Sequence, residues 1–237
     1  MAIKTYLTSD EIQRMIGQAL YLRDKVILSF LSDSGCRCSE LLKLKVENLD
    51  LENNVVLIPH LKRGIKKRCP ECGRSAGRNT PFCSKCGCDL SKVTAEGIEE
   101  RSRLINIGPE TAQLLEEYTR NFKPSEQVIK LSRQRVYTIV RNAAQAIGIK
   151  GKAILNPESG KKHYVHPHNF RDSLAVSWLS IAGSDVGKQK ALQEHLGHLK
   201  FETTVRYNKL TPAKVKQVSD EVRQMRFSHQ AQEPQVK

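Results

Sequence analysis

The sequence predicts a mainly α-helical domain that contains a small antiparallel β-sheet, an α+β fold. Apolar residues recur every three to four positions through most of the chain, which is the spacing of helices that bury one face. Two short runs, VVLIP at 55–59 and RLINI at 103–107, instead show the branched or alternating pattern of strands. A cysteine-rich segment at 68–90 separates these runs, so we expect an insert in the hairpin that they form.

The first helix is expected to begin at Thr8 or Ser9, because either hydroxyl can cap a helix whose first turn is acidic. A second apolar stretch occupies 26–31, and a third helix starts near Arg37 and extends to Leu44. Further patterns predict helices at 109–122, 132–147, 168–182, 188–196, 201–208 and 211–225, and a loop or small hairpin at 150–164.

The charge of the chain favours a polyanionic partner. Thirty-nine lysines and arginines stand against 25 acidic residues, which leaves a formal net charge of +14, and each phosphate that they neutralise would release condensed counterions. Aromatic residues make up only 5% of the chain, too few for the stacking platforms of single-strand binders. Double-stranded DNA is therefore the expected partner.

The sequence shows neither an apolar signal core at its N-terminus nor a run of membrane-spanning length. We therefore expect an intracellular, cytoplasmic and DNA-associated protein with no membrane partner. In that compartment the seven cysteines should be reduced, so they are metal ligands or ordinary residues rather than disulfides.

Four cysteines form two matching C-x-x-C-G turns, Cys69 with Cys72 and Cys83 with Cys86. Each turn brings two thiolates to one side of a bend, and two turns supply the closed tetrahedral set of a structural Zn²⁺ site. Because no coordination position stays open, we expect this zinc ribbon to do no chemistry and catalysis to need no cofactor. Its role is left open between local stabilisation and contact with DNA or a partner.

Six polar residues interrupt the apolar patterns and are the candidate catalytic residues: Arg37, Lys62, His168, Arg171, His198 and Tyr207. Each alone is more typical of a surface or structural residue. His168 and Arg171 are three positions apart, so they share one helix face.

In this order they resemble the catalytic domain of the tyrosine recombinase (phage integrase) family. GCRCSELLKL at 35–44 is similar to its first arginine box, PHNFRDSLA at 167–175 to its P-H-x-L-R-H box, and LGHLKFETTVRY at 196–207 to its L-G-H…T-T…Y box. The resemblance covers about residues 6–210. It implies the tyrosine recombinase catalytic-domain fold with an added zinc-ribbon insertion.

The resemblance implies a metal-free reaction in which Tyr207 attacks a DNA phosphate and forms a 3′-phosphotyrosyl bond. Arg37 and Arg171 would clamp the non-bridging oxygens with their planar guanidinium groups. The two histidines would hydrogen-bond the phosphate, and His168 is the candidate base.

Lys62 corresponds to the family's lysine between two strands and is the expected acid for the leaving 5′-oxygen. The ribbon interrupts that hairpin, so Lys66 or Lys67 are alternatives. A second departure is Asp172, which stands where the family usually has histidine and which we expect to orient Arg171.

The sequence divides into a catalytic domain at 1–67 and 91–226, a zinc-ribbon insert at 68–90 and a disordered tail at 227–237. Family members usually carry an N-terminal DNA-binding domain, whereas here the boxes begin almost at Met1. Either the sequence is part of a longer protein, or it is a short family member whose expected partner is a separate DNA-binding domain or protein.

We expect self-association into a multimer on DNA. An apolar stripe after Tyr207 is expected to dock on a neighbouring subunit, and its members are Val215, Val218, Val222 and Met225. Two other functions stay open: a type IB topoisomerase-like relaxing enzyme and a non-catalytic zinc-ribbon DNA-binding protein.

Overall fold

The computed structural model describes residues 4–59, 66–77, 79–94, 102–198, 201–205 and 207. The helices in this part of the chain are α1 (Ser9–Gly17), α2 (Leu22–Ser34), α3 (Cys38–Leu41), α4 (Pro109–Thr119), α5 (Arg133–Ala146), α6 (Pro167–Ala182), α7 (Val186–Leu196) and α8 (Phe201–Val205). The strands are β1 (Leu49–Asp50), β2 (Val55–Pro59), β3 (Lys66–Arg68), β4 (Ser75–Gly77), β5 (Ser102–Asn106), β6 (Ile154–Leu155) and β7 (Lys162–His163). The predicted fold class is confirmed.

The first helix is capped as the sequence predicts, by Thr8. The Thr8 hydroxyl accepts a hydrogen bond from the backbone N–H of Glu11 at 3.3 Å, and the Thr8 N–H donates to the Glu11 carboxylate at 2.8 Å. This reciprocal pair satisfies backbone donors that a helix N-terminus leaves unpaired. Ile12 and Met15 are buried, so α1 presents its apolar face to the rest of the domain.

Helix α2 is the centre of the domain and packs against α1, α4 and α6. Its stretch 26–31 is buried throughout, which is the pattern of a helix enclosed on all sides. The helix ends at Gly35, whose left-handed backbone (φ 53°) turns the chain toward Arg37. The first arginine box thus begins at the end of the core helix, beside α6.

The main sheet is antiparallel and has the order β1-β2-β5. Val56 pairs with Ile105, and Ile58 pairs with Arg103. Val56, Ile58 and Ile105 are at most 2% exposed, so this face lies against the core. Strand β1 has two residues, too few for a periodic pattern to be recognised in the sequence. The stretch 150–164 contains the small hairpin β6–β7.

The third helix is shorter than predicted. It ends at Leu41, and the expected extension to Leu44 is wrong. The Leu44 carbonyl instead accepts the N–H of Val128 at 2.8 Å, and Lys45 bridges to Gln127. This distant pairing takes the backbone groups that a longer helix would use.

Two other helices end early. Helix α4 stops at Thr119 and is followed by a turn in which the Phe122 N–H bonds the Thr119 carbonyl. Helix α8 stops at Val205, and Tyr207 lies in a 3₁₀ conformation. The predicted helix at 211–225, its apolar stripe and the tail at 227–237 lie outside the described residues.

Among the helices described, none is both long and apolar enough to cross a membrane.

Candidate active site

Arg171 lies at the centre of the candidate site, on α6. Its side chain is 1% exposed. One guanidinium nitrogen donates to the Gly35 carbonyl at 2.7 Å, and the other terminal nitrogen donates to the Leu196 carbonyl at 2.6 Å. These carbonyls belong to the C-terminal ends of α2 and α7, where helix dipoles are negative and favour a cation. Two of the five N–H donors of the guanidinium are used in this way, and the side chain also hydrogen-bonds the Tyr207 hydroxyl, so further donors remain for a ligand.

The approach of Gly35 to Arg171 requires glycine. Its backbone is left-handed, and an added Cβ would lie 2.9 Å from Cδ2 of both Leu174 and Leu196. Any side chain would therefore be strained in this left-handed conformation and would displace the ends of both leucine side chains. This explains the glycine of GCRCSE in local structural terms.

Arg37, at the start of α3, is held by a buried carboxylate. Its guanidinium donates to Glu40 at 2.9 Å, and its backbone N–H donates to the same carboxylate, also at 2.9 Å. The Glu40 side chain is 1% exposed, whereas that of Arg37 is 35% exposed. Arg37 is therefore accessible to a ligand in solvent, while the buried Glu40 carboxylate fixes its orientation.

Glu40 is bound from its other side by Arg103 of β5. The Arg103 guanidinium contacts both Glu40 oxygens, at 3.0 and 3.4 Å, and its Nε donates to the His195 carbonyl at 2.8 Å. The hydrogen bonds and charges of Arg103 and Arg37 outweigh burial and lower the pKa of Glu40. One arginine thus joins α3, the sheet and α7.

This network makes a testable prediction for Glu40→Gln. Removing the charge leaves Arg103 buried without a counter-ion, so we expect unfolding free energy to fall by about 3 kcal/mol. Arg37 would lose its fixed orientation, and any reaction that it assists should slow by about 10–100-fold. Chemical unfolding and single-turnover DNA attachment at a temperature where the variant is folded measure the two effects.

The matched control is Glu47→Gln, because Glu47 pairs with Lys45 at the surface with both side chains 46% exposed. It should change neither quantity appreciably. An unaltered attachment rate in Glu40→Gln would show that Arg37 does not depend on this carboxylate.

His168 lies near the start of α6, one turn before Asp172. Its Nε2 is 3.5 Å from the Asp172 carboxylate, and its side chain is 53% exposed. Partial burial of the ring, followed by the charge of Arg171, lowers the pKa of His168. The ring is thus neutral near pH 7 and able to accept a proton.

Asp172 does not orient Arg171, as we had predicted that it would. It accepts a hydrogen bond from Asn169 at 3.3 Å and faces His168, while Arg171 is oriented by carbonyl oxygens. The prediction is wrong because side chains that meet on a helix are three or four positions apart, not adjacent. Burial raises the pKa of Asp172 to about 7.

Tyr207 packs against His198 and the core. Their rings are stacked with centroids 5.9 Å apart, and Tyr207 is 8% exposed. The Tyr207 ring belongs to a cluster with Ala175, Leu179, Leu192 and Leu196. Burial raises the pKa of Tyr207, and the nearby charge of Arg171 opposes that shift.

His198 is fixed by Thr204. Its Nδ1 is 2.9 Å from the Thr204 hydroxyl, and Thr204 is completely buried. Burial and the charges of Arg171 and Arg37 lower the pKa of His198 to about 3. The ring is therefore neutral, and its Nε2 is the nitrogen left for a ligand.

Five of the six predicted catalytic residues are close enough to influence one another electrostatically: Arg37, His168, Arg171, His198 and Tyr207. Lys62 lies outside the described residues. Lys66 begins β3, and Lys67 donates to the Leu90 carbonyl at 2.6 Å. Lys67 therefore contacts the cysteine-bearing segment.

Sequence reasoning did not select Glu40 or Arg103 as site residues. Arg103 carries a signal that was available, because it alternates with Ile105 and Ile107 and so shares the inward face of its strand. A charged residue on that face needs a buried partner. The identity of that partner could not be read from the sequence.

Comparison with known proteins decides the family. The sequence model of the Phage integrase family matches residues 5–76 and 89–214. The chain belongs to the phage integrase family. Its fold is that of the tyrosine recombinases.

Two relatives illustrate the similarity. Tyrosine recombinase XerD of Bifidobacterium longum is 26% identical over 215 residues, which are 87% of this chain and 58% of XerD. Tyrosine recombinase XerA of Pyrococcus horikoshii is 29% identical over 207 residues, 86% of this chain and 56% of XerA. This integrase-family chain thus spans a little over half the length of these relatives.

A solved structure agrees on the fold. The crystal structure of XerA recombinase superposes with a TM-score of 0.59 at 19% identity, covering 94% of this chain and 65% of that one.

The four predicted cysteines of the ribbon come together. The sulfurs of Cys69, Cys72, Cys83 and Cys86 all lie within 4.8 Å of one another. The Sγ atoms of Cys69 and Cys86 are 3.5 Å apart, as are those of Cys72 and Cys83. Tetrahedral Zn²⁺ with Zn–S bonds of about 2.3 Å places sulfurs about 3.8 Å apart. This spacing fits that ion.

Backbone hydrogen bonds favour the thiolate form of one of the four cysteines, Cys83. N–H groups of Lys85 and Cys86 point at the Cys83 sulfur and lower the pKa of that thiol to about 6. A thiolate forms readily at such a site, and thiolates are what Zn²⁺ binds. The Cys88 thiol is directed to the Asp89 carbonyl and does not belong to the set of four. The integrase family match is interrupted at 77–88, inside this segment.

Proposed function

We propose that this chain is the catalytic part of a site-specific recombinase that cleaves and rejoins double-stranded DNA through a 3′-phosphotyrosyl intermediate. The supporting observation is the convergence of a buried tyrosine with two arginines and two neutral histidines. Such a group can stabilise a pentacoordinate phosphorus and supply a nucleophile without a metal.

In the proposed reaction the Tyr207 hydroxyl attacks phosphorus, and the bond to the 5′-oxygen breaks. The Tyr207 proton passes to His168, the candidate base, which is neutral near pH 7. Lys62, by family position, gives a proton to the leaving oxygen. The phosphotyrosyl ester conserves the bond energy, so a 5′-hydroxyl can reverse the reaction.

The arginines stabilise the charge that develops on the non-bridging oxygens. Arg171 retains N–H donors beyond those bound by Gly35, Leu196 and the Tyr207 hydroxyl. Arg37 approaches from the exposed side on its Glu40 support. His198 adds a hydrogen bond through Nε2. The donors are fixed before DNA arrives, which is the condition for effective electrostatic stabilisation.

We further propose that the four cysteines bind a structural Zn²⁺. This ribbon, at about 68–90, would interrupt a catalytic domain formed by 1–67 and 91–226. The gap in the family match supports this division. With four sulfurs engaged, Zn²⁺ would supply folding energy to a segment whose apolar core contains only a few side chains, among them Leu90 and Val93.

Metal removal tests the zinc proposal. Purified protein should contain about one zinc per chain, and Cys69→Ser with Cys83→Ser should lose it, because two of four ligands are gone. The maximal rate of DNA attachment should persist, since no step uses the metal. Metal analysis and attachment assays measure both, with Cys88→Ser as the matched control that keeps its zinc. Loss of the maximal rate in a folded, zinc-free variant would contradict a purely structural metal.

Assembly and further partners are also proposed. Relatives of the family bear the name recombinase, and exchange between two sites requires more than one subunit. We propose a multimer on DNA, with the segment after Thr211 docking on a neighbouring protomer and a separate DNA-binding domain or protein closing around the duplex.

Strand exchange between duplexes distinguishes the leading proposal from its alternatives. Two labelled duplexes that carry the cognate site should yield recombinant products, which a recombinase forms in a multimer. Relaxation of supercoiled DNA without recombinant products would favour the topoisomerase-like activity. Binding with neither product would favour the non-catalytic DNA-binding protein.

A further inference from the structure

The cysteine-bearing ribbon at 68–90, taken with its described flanks as residues 66–94, carries a surface that the proposed chemistry does not use. It contains seven lysines and arginines and only two acidic residues. Arg68, Arg74, Lys85 and Lys92 are exposed. A Zn²⁺ bound by four thiolates adds a net charge of about −2, so the ribbon remains positive.

The interior of the ribbon is already occupied, which leaves its outer surface for interaction. Cys69, Cys83 and Leu90 are buried together, with Ala76 and Val93 packed against them. Phe82, by contrast, is 60% exposed. A small unit with a closed metal cluster, an exposed ring and several exposed cations is suited to hold a polyanion.

The chain connections keep the ribbon close to the candidate active site. It leaves the sheet after Pro59 and returns at Ser102, and these two residues are paired neighbours. The next pair contains Arg103, which contacts Glu40 at 3.0 Å, and Glu40 contacts Arg37 at 2.9 Å. The ribbon is therefore attached beside the phosphate-binding arginines.

The length of the segment between Pro59 and Lys66 limits how far the ribbon can lie from the sheet. Seven peptide units separate Pro59 from Lys66, and at about 3.6 Å per residue they span at most about 25 Å. One turn of duplex DNA is about 34 Å long. A duplex bound with its phosphate at Arg37 and Arg171 would thus pass within reach of the ribbon.

We infer that the ribbon is a second DNA-contacting element, which binds the phosphate backbone within about one turn of the scissile phosphate. The inference rests on the proposed function for the position of the duplex. The contact is to phosphates rather than bases, because the exposed groups are separate cations on a small surface and the paired strands β3 and β4 have only three residues each. Its effect is on affinity and on the fit of the duplex to the site.

The test neutralises three exposed cations in Arg68→Gln/Arg74→Gln/Lys85→Gln. The matched control, Arg120→Gln/Lys123→Gln/Lys190→Gln, removes the same charge at exposed positions outside the ribbon. Binding of the full chain to a 40-base-pair duplex of arbitrary sequence is measured from low to high salt. Zinc content and melting temperature verify that the ribbon is intact.

We expect the ribbon variant to bind at least about tenfold more weakly near 0.15 M salt. Its salt slope should fall by about 0.9 for each phosphate that the ribbon no longer neutralises, up to about 2.7, whereas the control should change affinity less than threefold. Equal losses of affinity in the two variants would reduce the effect to net charge and overturn the inference. An unchanged affinity in the ribbon variant would overturn it as well, and would leave a protein partner as the ligand of this surface.

The two proposals fail separately. Weakened binding by the ribbon variant, in a protein that forms no covalent bond with DNA, would sustain the ribbon inference and reject the catalytic function. Normal binding by that variant, in a protein that becomes covalently attached, would reject the ribbon inference alone.

Discussion

Arg171→Lys is expected to lower the rate of DNA cleavage by about 10²–10³-fold, although the charge is conserved. In the structure the guanidinium reaches two carbonyl oxygens on different helices, those of Gly35 and Leu196, and retains further donors. A lysine ammonium is a single compact donor group and cannot span both carbonyls and a phosphate. Cleavage by the variant is measured as single-turnover attachment at saturating nicked duplex.

The stability of Arg171→Lys must be measured together with its cleavage rate, because a buried carbonyl that loses its donor lowers the free energy of unfolding by about 1–3 kcal/mol. Unfolding in denaturant gives that loss, and the assay temperature is set below the variant's transition. Arg120→Lys is the matched control, since Arg120 is exposed. A near-normal rate in folded Arg171→Lys would mean that Arg171 joins helices and does not bind phosphate.

Tyr207→Phe is expected to abolish covalent attachment to DNA while duplex binding stays within about twofold. The variant loses the hydroxyl and its hydrogen bond with Arg171, but Arg171 keeps its two carbonyl partners and the ring can keep its packing against His198 and Leu196. The melting temperature should therefore change little. Tyr118→Phe is the control, because Tyr118 is a half-buried tyrosine of α4 that packs against Phe122.

Covalent attachment to DNA that persists in Tyr207→Phe would show that another residue is the nucleophile. Loss of both binding and attachment would instead mean that the hydroxyl supports the fold.

Most of the candidate site could be predicted because its residues stand in a fixed order within three short boxes. His168 and Arg171 lie on one helix face, and His198 and Tyr207 are only nine positions apart, on either side of the short helix α8. The cysteines were predictable for the same reason, since each C-x-x-C turn is a local structure.

The supports of the arginines could not be predicted. Arg103 and Glu40 are 63 positions apart, and Arg171 meets a carbonyl 136 positions away. The sequence also does not indicate which backbone carbonyls bind Arg171, because every residue has a carbonyl group. The predicted extension of α3 to Leu44 was wrong for a related reason, because the pairing of Leu44 with Val128 depends on tertiary contact.

The partners of Asp172, by contrast, could have been predicted from helix geometry. It lies four positions after His168 and three after Asn169, and those are the side chains that it meets. Its position next to Arg171 in the sequence was the wrong criterion.

Covalent joining of Tyr207 to the 3′-phosphate of a cleaved strand is the step on which the proposed function depends. A duplex with a nick just beyond the cognate cleavage position releases a short 5′-hydroxyl fragment and traps the covalent complex. Protease and nuclease digestion followed by mass spectrometry then identifies the peptide that carries DNA. We expect a nucleotide on Tyr207, within the sequence FETTVRY. A nucleotide on any other residue, or a cleaved strand that carries no protein, would contradict the proposed function.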